Sequence, residues 1–158
     1  TTRQCRGNDF MFYGFDSCEG LPESKLDFNW KNGDYKADQE EVEQSLKDHG
    51  NDLSKIVLTK GWFSKELFGD FRKHHVRTPA IVTIDSDTFE SCAEVLDFWG
   101  PRLVPGSVVL FDDYYGVDYG ERLALDRFKV RYPKFAEKHL FRFGGGAAYE
   151  VIAASGAH

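Results

Sequence analysis

The chain has 158 residues, 41% of them hydrophobic and 29% charged, and a formal net charge of -6. That is enough chain to bury one sizeable core, and a single domain over 1–158 is the expectation. The acidic balance argues against nucleic acid or an anionic membrane surface as a partner, since both carry charge of the same sign, and leaves a small molecule as the expected ligand.

No apolar run approaches the roughly 18 residues of a membrane-spanning helix, and no basic-then-apolar leader opens the chain, so a soluble protein is expected. Cys5, Cys18 and Cys92 are odd in number and lack CxxC spacing, which fits reduced thiols in a cytoplasm and neither a disulfide framework nor a zinc knuckle. Thr1 in place of Met fits a chain that begins partway along a longer gene product, or one processed to that start.

In chain order, the aromatic run 10–15 (FMFYGF) reads as a strand ending at Asp16 and Ser17. An acid at the end of an early strand in an α/β fold can accept hydrogen bonds from both ribose hydroxyls of a nucleotide; equally, Asp16 can stabilise its own loop through an Asx turn with Ser17 or Cys18. The stretch 19–35 is a long Gly-, Asn-, Asp- and Pro-containing loop carrying Phe28 and Trp30, of the length used for lids and binding segments. A helix over 37–49 has Val42 and Leu46 at i, i+4 and stops before Gly50.

The next strand, 53–59 (LSKIVLT), delivers Lys60, Gly61, Trp62 and Phe63 at its end. These aromatics can flank an adenine ring, with Gly61 allowing close backbone approach, or form core under the helix 64–74 that follows. That helix places Leu67, Phe68 and Phe71 on one face, and His74 and His75 at its C-terminal end, where a cation suits the helix dipole. Its histidines are read as structural.

Two short β-branched runs organise the rest: 80–87 (AIVTIDSD) and 107–113 (SVVLFDD). Each suits a strand buried on both faces of a parallel sheet, and each ends in acid, at Asp85 and Asp87 and at Asp112 and Asp113. A lone Asp after a strand is ordinarily a turn or helix-cap residue. Four acids at two strand ends repel one another unless something compensates them, and an oxygen-only set suits a hard divalent ion such as Mg2+ better than zinc. Helices over 86–99 and 121–132 flank the second run, with Tyr114 to Tyr119 placed to wall a pocket. The runs 139–143 and 148–153 form a hairpin across Gly144 to Gly146, a turn with no helix pattern or Lys to make it a phosphate loop.

The alternation of strand and helix means a mostly parallel sheet with right-handed crossovers, finished by an antiparallel hairpin. The segments 13–23 (YGFDSCEGLPE), 60–63 (KGWF), 84–91 (IDSDTFES) and 105–114 (PGSVVLFDDY), in this order and spacing, resemble the motifs of the macrocin O-methyltransferase type of Rossmann-like class I S-adenosylmethionine-dependent methyltransferases. The resemblance implies that Asp16, with Ser17, binds the ribose of S-adenosylmethionine, that Gly61, Trp62 and Phe63 lie by its adenine, and that Asp85, Asp112 and Asp113 hold Mg2+. It further implies a small-molecule hydroxyl acceptor, sugar or other metabolite, whose hydroxyl the metal acidifies for attack on the sulfonium methyl. Asp87 then helps remove the proton or caps the following helix, the cap being preferred.

The chain departs from this pattern at Cys18, Ser86 and Phe89, and in having no first strand and glycine-rich turn before Phe10. In that fold the strand belongs mid-sheet, so its loss would expose two strand edges and favour self-association. Two other readings compete with methyl transfer. Asp85-x-Asp87 also matches the metal motif of glycosyltransferases, and a methyltransferase-like domain without its glycine turn could work by association alone.

Overall fold

The computed structural model describes residues 10–22, 31–74, 78–116 and 120–154. The elements are β1 (Phe12–Asp16), α1 (Gln39–Asp48), β2 (Ile56–Lys60), α2 (Lys65–His74), β3 (Ile81–Ile84), α3 (Phe89–Trp99), β4 (Val108–Phe111), α4 (Gly120–Arg131), β5 (Ala136–Phe143) and β6 (Gly146–Ala153). They fall into two compact units, 1–22 with 32–62 and 23–31 with 63–158. No helix among the described residues is long and apolar enough to cross a membrane.

In the first unit, β1 and β2 pair in parallel, with Phe12 opposite Ile56 and Asp16 opposite Lys60. α1 starts where Asp38 accepts the Glu40 N–H, and Glu40 and Glu41 in its first turn suit the positive end of the helix dipole. It buries no residue, as its thin apolar stripe of Val42 and Leu46 foretells.

The second unit carries a four-stranded sheet in the order β3-β4-β6-β5. β3 and β4 are parallel, whereas β6 runs antiparallel to both β4 and β5. The expected alternation and terminal hairpin are both present. Ser107 ties the starts of β3 and β4 together: its buried hydroxyl donates to the Pro79 carbonyl at 2.8 Å and accepts the Val104 N–H at 3.2 Å.

The core follows from the apolar faces of α3 and α4. Cys92, Ala93, Val95 and Leu96 are buried on α3, and Ala124, Leu125 and Phe128 on α4. Glycines let the two helices approach: a Cβ on Gly100 would sit 2.3 Å from the Phe128 ring, and one on Gly120 would sit 2.9 Å from the Phe89 nitrogen. Across the sheet, Ala147 and Ala148 of β6 are fully buried beside Phe111 and Leu110 of β4, where small residues leave room for the aromatic ring.

The N-cap of α3 is Thr88, whose Oγ1 accepts the Ser91 N–H at 3.2 Å. This corrects the preference for Asp87 as the cap and shortens the expected helix, which begins at Phe89. Thr88 is buried and its hydroxyl also donates to Ser91 Oγ at 2.8 Å. Thr88→Ala is therefore expected to lower unfolding free energy by about 0.5–2 kcal/mol, the range for losing an N-cap. Urea denaturation checks this, and an unchanged midpoint would show that the cap contributes nothing.

Candidate metal centre and cofactor loop

β3 and β4 end side by side. Ile84 lies opposite Phe111, and the Asp112 N–H donates to the Ile84 carbonyl at 3.0 Å, so both chains leave the sheet at one level. One carboxylate oxygen each from Asp85, Asp87 and Asp113 then lies within 4.8 Å of the other two. Asp112 is exposed and is not among these three.

Asp87 reaches the group through an unusual backbone. Its φ is 55°, in the left-handed region, and the Thr88 N–H donates to the Ser86 carbonyl at 2.5 Å, making a three-residue turn around it. Such a conformation costs on the order of 1–3 kcal/mol and is characteristic of functional sites. It brings Asp87 to the acid group instead of the helix cap.

Among the described residues, three carboxylates and no nitrogen or sulfur donor make a set that fits a hard divalent cation such as Mg2+ or Mn2+. The hairpin turn also comes against this end of β4. The Tyr115 N–H donates to the Gly145 carbonyl at 2.8 Å, and a Cβ on Gly145 would lie 3.6 Å from Asp113 Oδ1. Tyr114 is buried against Phe111 and Tyr149, while the Arg142 guanidinium lies 4.2 Å over the Tyr115 ring. Burial, then hydrogen bonding with Tyr114, pushes the Tyr149 phenol far up, so it stays protonated. Residues 117–119 of the expected aromatic wall lie outside the described residues.

A fourth acid sits beneath the three. Glu121, in the first turn of α4, is only 1% exposed, and its Oε2 accepts the Asp113 N–H at 3.0 Å. Burial pushes its carboxyl up to about 8, the Asp113 and Asp85 charges push the same way, and the Asp113 and Ser86 amides pull it down. Its Oε1 and the Ser86 Oγ are buried without a hydrogen-bond partner among the described residues. The sequence reading missed Glu121, yet the signal was present: Glu121, Ala124, Leu125 and Phe128 stand at i, i+3, i+4 and i+7, so Glu121 heads the buried stripe.

In the other unit, Asp16 is exposed at the end of β1 and its Oδ1 accepts the Cys18 N–H at 2.6 Å. The Asx turn therefore forms, which uses one carboxylate oxygen and leaves Oδ2 for a ligand hydroxyl. Ser17 Oγ donates to the Gly20 carbonyl at 3.2 Å and accepts the Glu19 N–H at 3.0 Å, closing the same loop. The Gly61 N–H donates to the Asp16 carbonyl at 2.9 Å, and Gly61 has φ 152°. Trp62 is 43% exposed at the end of this unit. Phe63, which belongs to the other unit, stacks on Phe68 of α2 at 6.2 Å and 17°. The two aromatics thus differ: Phe63 is half-buried against Phe68, and Trp62 is exposed. Phe28, Trp30 and His75 lie outside the described residues.

The fold is shared with solved methyltransferases. The O-methyltransferase NovP matches with a TM-score of 0.70 and 18% identity over 92% of this chain and 62% of that one. The calicheamicin methyltransferase CalS11 matches with a TM-score of 0.72 and 19% identity over 89% of this chain and 60% of that one. The architecture is thus the Rossmann-like fold of class I methyltransferases. The family model Macrocin-O-methyltransferase (TylF) matches residues 3–136, and the chain belongs to that family.

A Streptomyces olivaceus relative, 8-demethyl-8-(2,3-dimethoxy-alpha-L-rhamnosyl)-tetracenomycin-C 4'-O-methyltransferase, is 30% identical over 108 residues, 63% of this chain and 40% of that protein. The chain therefore spans less than half the length of that relative. S-adenosylmethionine is the methyl donor expected of such a family.

Proposed function

We propose that this protein transfers a methyl group from S-adenosylmethionine to a hydroxyl of a sugar or sugar-bearing metabolite, with a divalent cation at Asp85, Asp87 and Asp113. The observation that carries the reading is the convergence of three carboxylates within 4.8 Å at the ends of β3 and β4, in a chain of this family. Sugar acceptors are favoured by the rhamnosyl substrate named for the Streptomyces olivaceus relative.

When bound, Mg2+ supplies Lewis acidity that lowers the pKa of an acceptor hydroxyl. The protein's residues do the rest. Asp85, Asp87 and Asp113 would hold the cation, and Asp87 would take the acceptor proton as a general base. Tyr115, half-buried and carrying the Arg142 guanidinium over its ring, borders the acceptor side, while Tyr114 packs beneath it against Phe111 and Tyr149. Asp16 offers its second carboxylate oxygen to the ribose of the cofactor, Ser17 holds that loop in shape, and Gly61 keeps the backbone beside it open. Trp62 offers its exposed face to the adenine, with Phe63 following it in the chain. Asp112, the third ligand that the family resemblance implies, stands exposed next to Asp113 as a further oxygen donor.

The test is calorimetric titration of the protein with S-adenosylmethionine with and without Mg2+, followed by transfer of labelled methyl to a panel of rhamnosides and phenols. Cofactor binding, and label on the sugar hydroxyl that EDTA abolishes, is the expected result. A folded protein that binds no cofactor at millimolar concentration would overturn the reading and leave association as the function to pursue.

A further inference from the structure

The acid group has an oddity that a metal site alone does not require. Three carboxylates within 4.8 Å of one another repel, and the turn that presents Asp87 is in the left-handed region at φ 55°. Two separate turns must nevertheless stay in register for one cation to meet all three acids. Beneath them lies a buried Glu at a helix position where Leu or Ala would be ordinary.

We propose that Glu121 is a positioning residue, whose side-chain carboxyl ties the turn after β3 to the turn after β4 at the Ser86 and Asp113 amides and so holds Asp85, Asp87 and Asp113 together. The inference rests on the metal-centre reading above. Its geometry is direct. The Asp113 N–H donates to Glu121 Oε2 at 3.0 Å, and the Ser86 amide faces the same carboxyl closely enough to favour its charged form. Ser86 lies between Asp85 and Asp87 in the chain, so one side chain lies against the backbone beside all three acids. The reach depends on the start of α4 lying against the start of α3, where Gly120 leaves no room for a Cβ beside Phe89. The role matches that of outer-shell partners in metal proteins, which orient ligands without touching the ion and whose loss costs roughly 10–100-fold in affinity.

The test uses Mn2+ alone as the probe, together with amide hydrogen exchange in the metal-free protein, on Glu121→Ala, Glu121→Gln and Glu121→Asp. Glu121→Ala is expected to weaken Mn2+ binding by roughly 10–100-fold and to raise exchange at the Ser86 and Asp113 amides selectively. Glu121→Gln, which keeps the length and an acceptor oxygen, is expected to restore most of both. Glu121→Asp, which keeps the carboxyl group but loses one methylene of reach, should not. Should Glu121→Ala fail to fold, the Gln and Asp pair still decides the matter, because a role of charge alone would make Asp the better substitute. If wild type binds Mn2+ and all three variants bind it equally, the positioning role is overturned while the metal centre stands. If wild type binds no Mn2+, the metal-centre reading itself falls, and this role with it.

Discussion

Asp113→Asn is expected to lower Mn2+ affinity by more than about 100-fold, beyond the roughly 10–100-fold that loss of an outer-shell partner costs, and at the same time to make the metal-free protein more stable. The two effects share one cause. Asp113 supplies one of three carboxylates gathered within 4.8 Å, so neutralising it removes a ligand from the cation and two repulsive pairs from the apoprotein. At such separations a pair of like charges costs about 1 kcal/mol in water and several in a protein-like dielectric. Asp113 is half-buried, so a gain on the order of 1 kcal/mol is the expectation. The Asp113 backbone amide that meets Glu121 is untouched by this change. Metal titration and urea denaturation of the same variant check both signs. A loss of stability with unchanged Mn2+ affinity would mean that Asp113 only shapes its turn.

Asp112→Asn is the paired control. Family resemblance implies Asp112 as a ligand, whereas the carboxylates that converge are those of Asp85, Asp87 and Asp113. An effect of Asp112→Asn as large as that of Asp113→Asn would favour the set that the resemblance implies. A much smaller one would favour the converging set.

What was legible beforehand follows from what a one-dimensional pattern can encode. Parallel strands announce themselves as short β-branched runs, and acids directly after them must emerge at the same edge once β3 and β4 pair in parallel. Asp85 and Asp113 were therefore readable as partners from the strands alone. The place of Asp87 was not, because it depends on one residue taking φ 55°, and Asp-Thr before a helix offers two good caps between which periodicity cannot choose. Structure gives the cap to Thr88. Element ends shifted for similar local reasons: residues 53–55 form a 3-10 turn before β2, begun by Asp52 accepting the Ser54 N–H. Trp62 and Phe63 are adjacent in sequence and fall on opposite sides of the boundary between the two compact units, a division that no composition change marks. Glu121 was missed because a charged residue is by default assigned to a solvated face, although its spacing from Ala124, Leu125 and Phe128 put it on the buried one.

Glu121 also yields the steepest expected dependence on pH. Its carboxyl is raised from the ordinary 4.5 to about 8, chiefly because burial penalises the charged form. Below pH 4.5 the group is protonated whether the chain is folded or unfolded, and it contributes no slope. Between 4.5 and about 8 the unfolded chain releases a proton that the folded chain keeps, so the unfolded state binds fewer protons and stability falls as pH rises. The loss is about 1.4 kcal/mol per pH unit and levels off above the folded value, at a total on the order of 5 kcal/mol. Glu121→Gln cannot ionise, so its stability in the metal-free state should exceed that of wild type by a margin that grows across this window. Below it the two should be close, Gln keeping one acceptor for the Asp113 amide. Urea denaturation at pH 4.5, 6 and 8, conditions spanning the window set by the two Glu121 values, gives that margin directly, and the background titration of the neighbouring acids largely cancels in the difference. A margin that stays constant with pH would place the Glu121 carboxylate in contact with water or a cation and remove the strain inferred from its burial.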